Sequence, residues 1–198
     1  MKVSKEQMAE NRERILDAAA QLFREKGFDG IGVADLMKSA GLTHGGFYGH
    51  FASKDELMAQ ASARALQRLQ AAWSAIAREA AAHGQEPLAA IEAAYLSPRH
   101  RDAPGQGCLL AALGSDTARQ GPAVRRAVTE GVRAQVDGLA GLVPGRTKAA
   151  KRQRALADYA SLVGAMVLAR AVDDPALSDE ILHAAAAALR LPAAAPAQ

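Results

Sequence analysis

Residues 33–56, V-A-D-L-M-K-S-A-G-L-T-H-G-G-F-Y-G-H-F-A-S-K-D-E, fix one helix stop and two helix starts within a single short stretch. Val33, Leu36, Met37 and Ala40 recur at the spacing of one helical face. Gly41 suits the left-handed position that ends a helix, and Thr43 can cap the next through its hydroxyl. The second helix carries Phe47, Tyr48 and Phe51. A helical repeat buries Phe47 with Phe51 and leaves His44 with Tyr48 on another face. Ser53 and Glu56, three apart, form a capping box that opens a long third helix. A helix stopped by glycine and restarted after a tight turn is a helix-turn-helix, the arrangement that lays a helix in a DNA major groove.

The rest of the chain is helical in texture. Aromatics make up 4% of the 198 residues while hydrophobic residues make up 49%. Much of the latter is alanine, which favours helices and fits strands poorly. Helix one is expected over 8–26, with Ile15, Ala18, Ala19, Leu22 and Phe23 as its buried stripe. Further helices are expected over 53–82, 87–96, 108–119, 122–142, 147–172 and 178–191, with 97–107 as loop. The expectation is an all-α chain. Residues 1–52 would form a helix-turn-helix domain, 53–191 a helical regulatory and dimerisation domain, and 192–198 a disordered tail.

Charge alone does not mark a nucleic-acid binder. Net charge is +3, and in residues 1–60 eight cations meet nine anions. Any footprint must come from placement. The single cysteine excludes an internal disulfide and a cysteine-based zinc site, and no cofactor is called for. The longest apolar run, residues 160–169, is too short for a bilayer, and Met1 precedes charged residues rather than a signal sequence, so a cytoplasmic protein is expected.

The run A-G-L-T-H-G-G-F-Y-G-H-F-A-S-K-D-E-L, Ala40 to Leu57, resembles the signature of the TetR family of bacterial transcriptional repressors. The segment from Arg14 through Phe28 resembles that family's first helix. The resemblance implies a homodimer joined through the last two helices, with two helices related by a two-fold axis on a pseudo-palindromic operator of double-stranded DNA. It also implies release by a small-molecule inducer. On the matching positions, DNA contacts are expected from Gly32, Val33, Thr43, His44, Gly45, Gly46, Tyr48, His50 and Lys54, with Tyr48 and Lys54 as phosphate anchors. The chain departs from the family pattern at Gly32, His44, Gly46 and Gly49. Gly45, Gly46 and Gly49 cost about 1 kcal/mol each against alanine in a helix. Either they admit a close approach of backbone to DNA, or the helix is under relaxed selection.

Cys108 follows Gly105-Gln106-Gly107 at an expected helix start near Arg99, His100 and Arg101, where a thiolate would be favoured. It is either a redox or electrophile sensor, as some TetR-like repressors have, or a small buried hydrophobe. Trp73, Tyr95, Tyr159 and His83 could line an inducer pocket or be ordinary core residues. In the last two helices Leu156, Ala160, Val163, Gly164, Met166, Val167, Ile181, Leu182, Ala185 and Leu189 suit either a dimer interface or an intrachain core. A thiol-dependent enzyme centred on Cys108 and a helical protein-interaction adaptor are the alternatives from other functional classes.

Overall fold

The computed structural model describes residues 4–189, all of whose regular structure is helical. The expected tail at 192–198 lies outside them. The α-helices are α1 (Lys5–Lys26), α2 (Val33–Ser39), α3 (Lys54–Ala82), α4 (Pro87–Tyr95), α5 (Pro98–Asp102), α6 (Leu109–Ala118), α7 (Pro122–Ala140), α8 (Lys148–Ala171) and α9 (Pro175–Leu189). A 3-10 helix, His44–Gly49, lies between α2 and α3, and a single 3-10 turn, Pro104–Gln106, precedes α6.

Three expectations are corrected. Helix one starts earlier than residue 8, because the Ser4 hydroxyl accepts from the Gln7 amide at 3.1 Å and caps it there. Residues 97–107 are not all loop: Ser97 caps α5 through the His100 amide, and Pro98 holds its first position. The last helix begins at Pro175 rather than Ser178, capped by the Asp174 carboxylate at 2.9 Å from the Ala176 amide.

The chain divides into two compact units. The first comprises the described residues to Arg68 together with Pro104–Val132. Its core joins Ile15, Ala19 and Phe23 of α1 to Leu36 and Met37 of α2, Phe47, Phe51, Leu57, and Leu109 and Leu113 of α6. Ala18 and Leu22 of the expected stripe are only partly buried; Leu16 and Ala20 are buried as well. Arg24 is buried and donates through Nε to the Gly105 carbonyl at 3.0 Å, tying the Pro104–Gln106 turn to α1. Burial pushes its guanidinium down to about 10, which leaves it charged at neutral pH.

Helices α3 and α7 meet closely in this unit. A Cβ placed on Gly131 would stand 2.8 Å from the Cβ of the buried Leu66. Gly131→Ala is therefore expected to destabilise the protein by about 1–3 kcal/mol, as overpacking a core does. Urea denaturation measures this, and an unchanged midpoint would contradict the close contact.

The second unit comprises Leu69–Ala103 and the described residues from Arg133. In it α8 and α9 pack along each other. Met166, Leu182 and Leu189 are buried within the chain, Val163, Ile181 and Ala185 are half-buried, and Leu156, Ala160, Gly164 and Val167 face outward. The expected interface residues thus divide between an intrachain core and an exposed face. Among the described residues no helix is long and apolar enough to cross a membrane.

Candidate nucleic-acid interface

Helix α2 ends in a Schellman motif. The Leu42 amide donates to the Met37 carbonyl at 2.8 Å, the Gly41 amide to Lys38 at 3.0 Å, and Gly41 takes φ +71°. The chain then enters the His44–Gly49 helix, whose bonds run i to i+3: Gly46 to the Thr43 carbonyl at 3.1 Å and His50 to Phe47 at 2.9 Å. An α-helix was expected here. Three glycines in six residues supply little α propensity, so the tighter, shorter winding is adopted instead.

Two consequences follow for the side chains. Thr43 has the extended backbone of a cap (φ −82°, ψ 148°), but its hydroxyl makes no capping bond; only its carbonyl is used. The hydroxyl was expected to cap, and the exposed group is left for another acceptor or donor. The three-residue repeat also sets Tyr48 over Gly45 rather than over His44. The expected pairing of His44 and Tyr48 on one face is an α-helical one and does not apply.

Phe47 and Phe51 are buried and stacked at 5.8 Å between centroids, which pins the short helix to the core. Tyr48 stands out from it, 73% exposed, its ring edge-on to Phe47 at 5.2 Å. His44 and Gly45 are exposed, and Gly46 is half-buried. His50 is half-buried, and burial followed by the nearby Arg12 charge holds its imidazole below the ordinary histidine value. At the start of α2, Gly32 is exposed while Val33 packs against the core. Lys54 opens α3, behind a capping box in which Ser53 Oγ accepts from the Glu56 amide at 3.1 Å. The Glu56 carboxylate accepts in turn from the Ala52 amide at 2.8 Å, one residue further back than in the usual box. The expected contact residues thus fall on the starts of α2 and α3 and on the short helix between them.

The glycines of that helix are not demanded by its own packing. None has a positive φ, and among the described residues outside the helix's own backbone no atom lies within 4 Å of a Cβ built on Gly45 and the nearest to one on Gly49 is Met8 Cε at 3.8 Å. Gly45→Ala is expected to stabilise the free protein by about 0.5–1 kcal/mol and to weaken DNA binding by crowding the backbone under Tyr48. Thermal melts and a DNA titration measure the two effects. A stabilised variant that binds as well as the parent would favour relaxed selection instead.

The residues expected to sense a ligand or oxidant belong to both units. Cys108 is fully buried in the first unit at the N-cap position of α6, within electrostatic reach of Arg24. Trp73 and Tyr95 belong to the second unit and meet edge-on at 5.9 Å, with Tyr159 on Trp73 at 5.7 Å. His83 is exposed at the end of α3 and takes no part. His100 instead packs on Tyr95 at 4.4 Å, its Nδ1 2.7 Å from the Tyr95 carbonyl. Local patterns passed over Arg12 and Arg24, whose partners lie 38 and 81 residues away, and named His100 only as a neighbour of Cys108 rather than as a partner of Tyr95.

Residues 15–61 match the family model of the bacterial regulatory proteins of the tetR family. The chain is 35% identical over 57 residues to the HTH-type transcriptional regulator AcrR of Shigella flexneri, covering 29% of this chain and 26% of that one. It is 29% identical over 99 residues to the HTH-type transcriptional repressor DhaR of a Mycobacterium species, covering 50% and 48%. The matches therefore span about a quarter to a half of these relatives' lengths. The fold is similar to that of reduced Escherichia coli NemR, with a TM-score of 0.75 and 23% identity over 91% of this chain and 95% of that one. A TetR-family regulator from Agrobacterium tumefaciens superposes with a TM-score of 0.73 at 23% identity, over 91% and 98%. Residues 15–61 are thus similar to the N-terminal domain of the tetR-family bacterial regulatory proteins, and the all-α fold around them is similar to that of solved regulators of that family.

Proposed function

We propose that the protein is a DNA-binding transcriptional repressor that acts as a homodimer on a pseudo-palindromic operator. The observation that carries this reading is the short helix pinned by Phe47 and Phe51, which presents Tyr48 almost wholly to solvent. A buried pair under an exposed aromatic hydroxyl suits a side chain that docks on a phosphate. Thr43 and Lys54 flank it as further anchors. His44, with the backbone at Gly45 and Gly46, faces the bases, and DNA shape supplies the rest of the specificity. Two such helices, one per protomer, would enter major grooves about 34–36 Å apart. The outward face of α8 supports dimerisation through the last two helices.

Release follows either from a small molecule taken up beside Trp73 and Tyr95 or from modification of Cys108. Each would act by favouring a state whose reading helices no longer match the half-sites. The buried Cys108 requires the start of α6 to open before a reagent reaches it. Protein titrated onto duplexes selected from its own genome, with and without thiol oxidant, tests both parts. Oxidant-induced release that persists in Cys108→Ser would remove the thiol route. A failure to select any duplex would remove the repressor reading.

A further inference from the structure

The short helix that presents Tyr48 is too brief and too rich in glycine to be held by its own winding, and beyond the packing of Phe47 and Phe51 its far end is tied by an anchor from another helix. Arg12 of α1 meets that end. Its Nη1 donates to the carbonyl of His50, the residue that closes the helix. Its Nη2 donates to Gln60 Oε1 at 2.9 Å and pairs with Glu56 Oε1 at 3.5 Å, both on α3. The guanidinium carbon lies 4.2 Å above the centroid of Phe51. Gln60 Nε2 donates to Glu56 Oε1 at 2.8 Å, and the other Glu56 oxygen holds the Ala52 amide. One planar cation therefore joins α1, the end of the short helix and the first turns of α3. The closed hydrogen-bonded group surrounds residues 50–53.

We infer that Arg12 is a positioning residue for DNA recognition. It fixes the spacing between Tyr48, before that turn, and Lys54, after it. The inference rests on the repressor reading and adds a residue to it. The fork geometry is what the position uses. A guanidinium reaches a carbonyl and two side-chain acceptors in one plane while stacking on a ring, and an ammonium cannot. A positive charge at the carbonyl end of a helix is also favourably placed. With its donors turned inward, Arg12 serves the protein rather than the phosphate backbone.

Arg12→Lys separates the two roles, because lysine keeps the charge a phosphate contact needs and loses the fork. The probe is the duplex most enriched by the wild-type protein from its own genomic fragments, set against a scrambled duplex of equal length. The expected result is a preference for the selected duplex reduced by about tenfold, the scale of a lost charge-assisted bond. The salt dependence on the scrambled duplex should stay unchanged. An unaltered preference overturns the inference. So does Arg12→Met lowering the salt slope by about one on both duplexes, the mark of a lost phosphate contact. If Arg12→Lys loses its helical circular dichroism, Gln60→Leu removes one acceptor of the fork and is expected to lower the same preference; no change there overturns the inference too. If the wild-type protein prefers no duplex, the repressor reading falls and this one with it. A wild-type preference that survives Arg12→Lys removes only the role of Arg12.

Discussion

Gly164→Leu is expected to convert the protein from dimer to monomer and to lower its affinity for a two-half-site duplex by about a hundredfold or more, since linking two weak sites multiplies affinity on that scale. Along α8 the exposed residues Ala157, Ala160, Gly164, Leu168 and Ala171 recur every three or four positions. That is a stripe of mostly small side chains, on which a second helix can lie closely. Among the described residues beyond its own stretch of helix, no atom lies within 4 Å of a Cβ built on Gly164, so a side chain can start there without a clash in the protomer. Replacing a helical glycine should even stabilise it, by roughly 0.5–1 kcal/mol. The cost falls only where a second copy packs against the stripe, since added methylenes in a tight contact must be displaced. Sedimentation equilibrium reads the change directly. A variant that stays dimeric would move the interface elsewhere.

Tyr48→Ala is expected to leave the thermal midpoint nearly unchanged while weakening DNA binding by about 1–3 kcal/mol, roughly tenfold to hundredfold. The ring is 73% exposed, and its one aromatic neighbour is the edge of Phe47. Surface substitutions of this kind stay within about 0.5 kcal/mol in stability. Tyr48→Phe isolates the hydroxyl: if a phosphate bond carries the contact, phenylalanine loses most of the affinity that alanine loses. Unchanged binding by Tyr48→Ala would remove the tyrosine from the interface. Cys108→Ser should leave operator binding intact, because the buried thiol is remote in sequence from the residues on the short helix.

Much of the framework was legible from local signals. Gly41 marked the stop of α2, and the structure gives it the left-handed backbone that glycine allows. Phe47 and Phe51 were assigned inward and are buried. Ser53 and Glu56 were paired in a capping box, and their bonds are formed or nearly so. The winding of the short helix was not legible, because the spacing of Phe47 and Phe51 fits an α-helix while the glycines remove the propensity that would hold one. Ser97-Pro98 and Asp174-Pro175 were readable helix starts, each a capping side chain followed by proline, and the loop-like composition around them concealed this.

Arg12 and Arg24 could not be found in this way. An arginine on an exposed-looking stretch of helix shows nothing in sequence of the carbonyl it meets 38 or 81 residues later. The exposed small residues of α8 were visible in composition. Which face of α8 is buried was decided by packing, with Met166 turned inward and Gly164 outward.

A homodimer of this chain is expected to read a specific DNA site through the helix at residues 44–49. Titrating the protein onto its genome-selected duplex and a scrambled control at several salt concentrations is the decisive measurement. The expected result is two protomers per duplex, a preference for the selected sequence, and affinity that falls linearly in log–log form as salt rises. Binding that ignores both sequence and salt, or no binding at all, would contradict it.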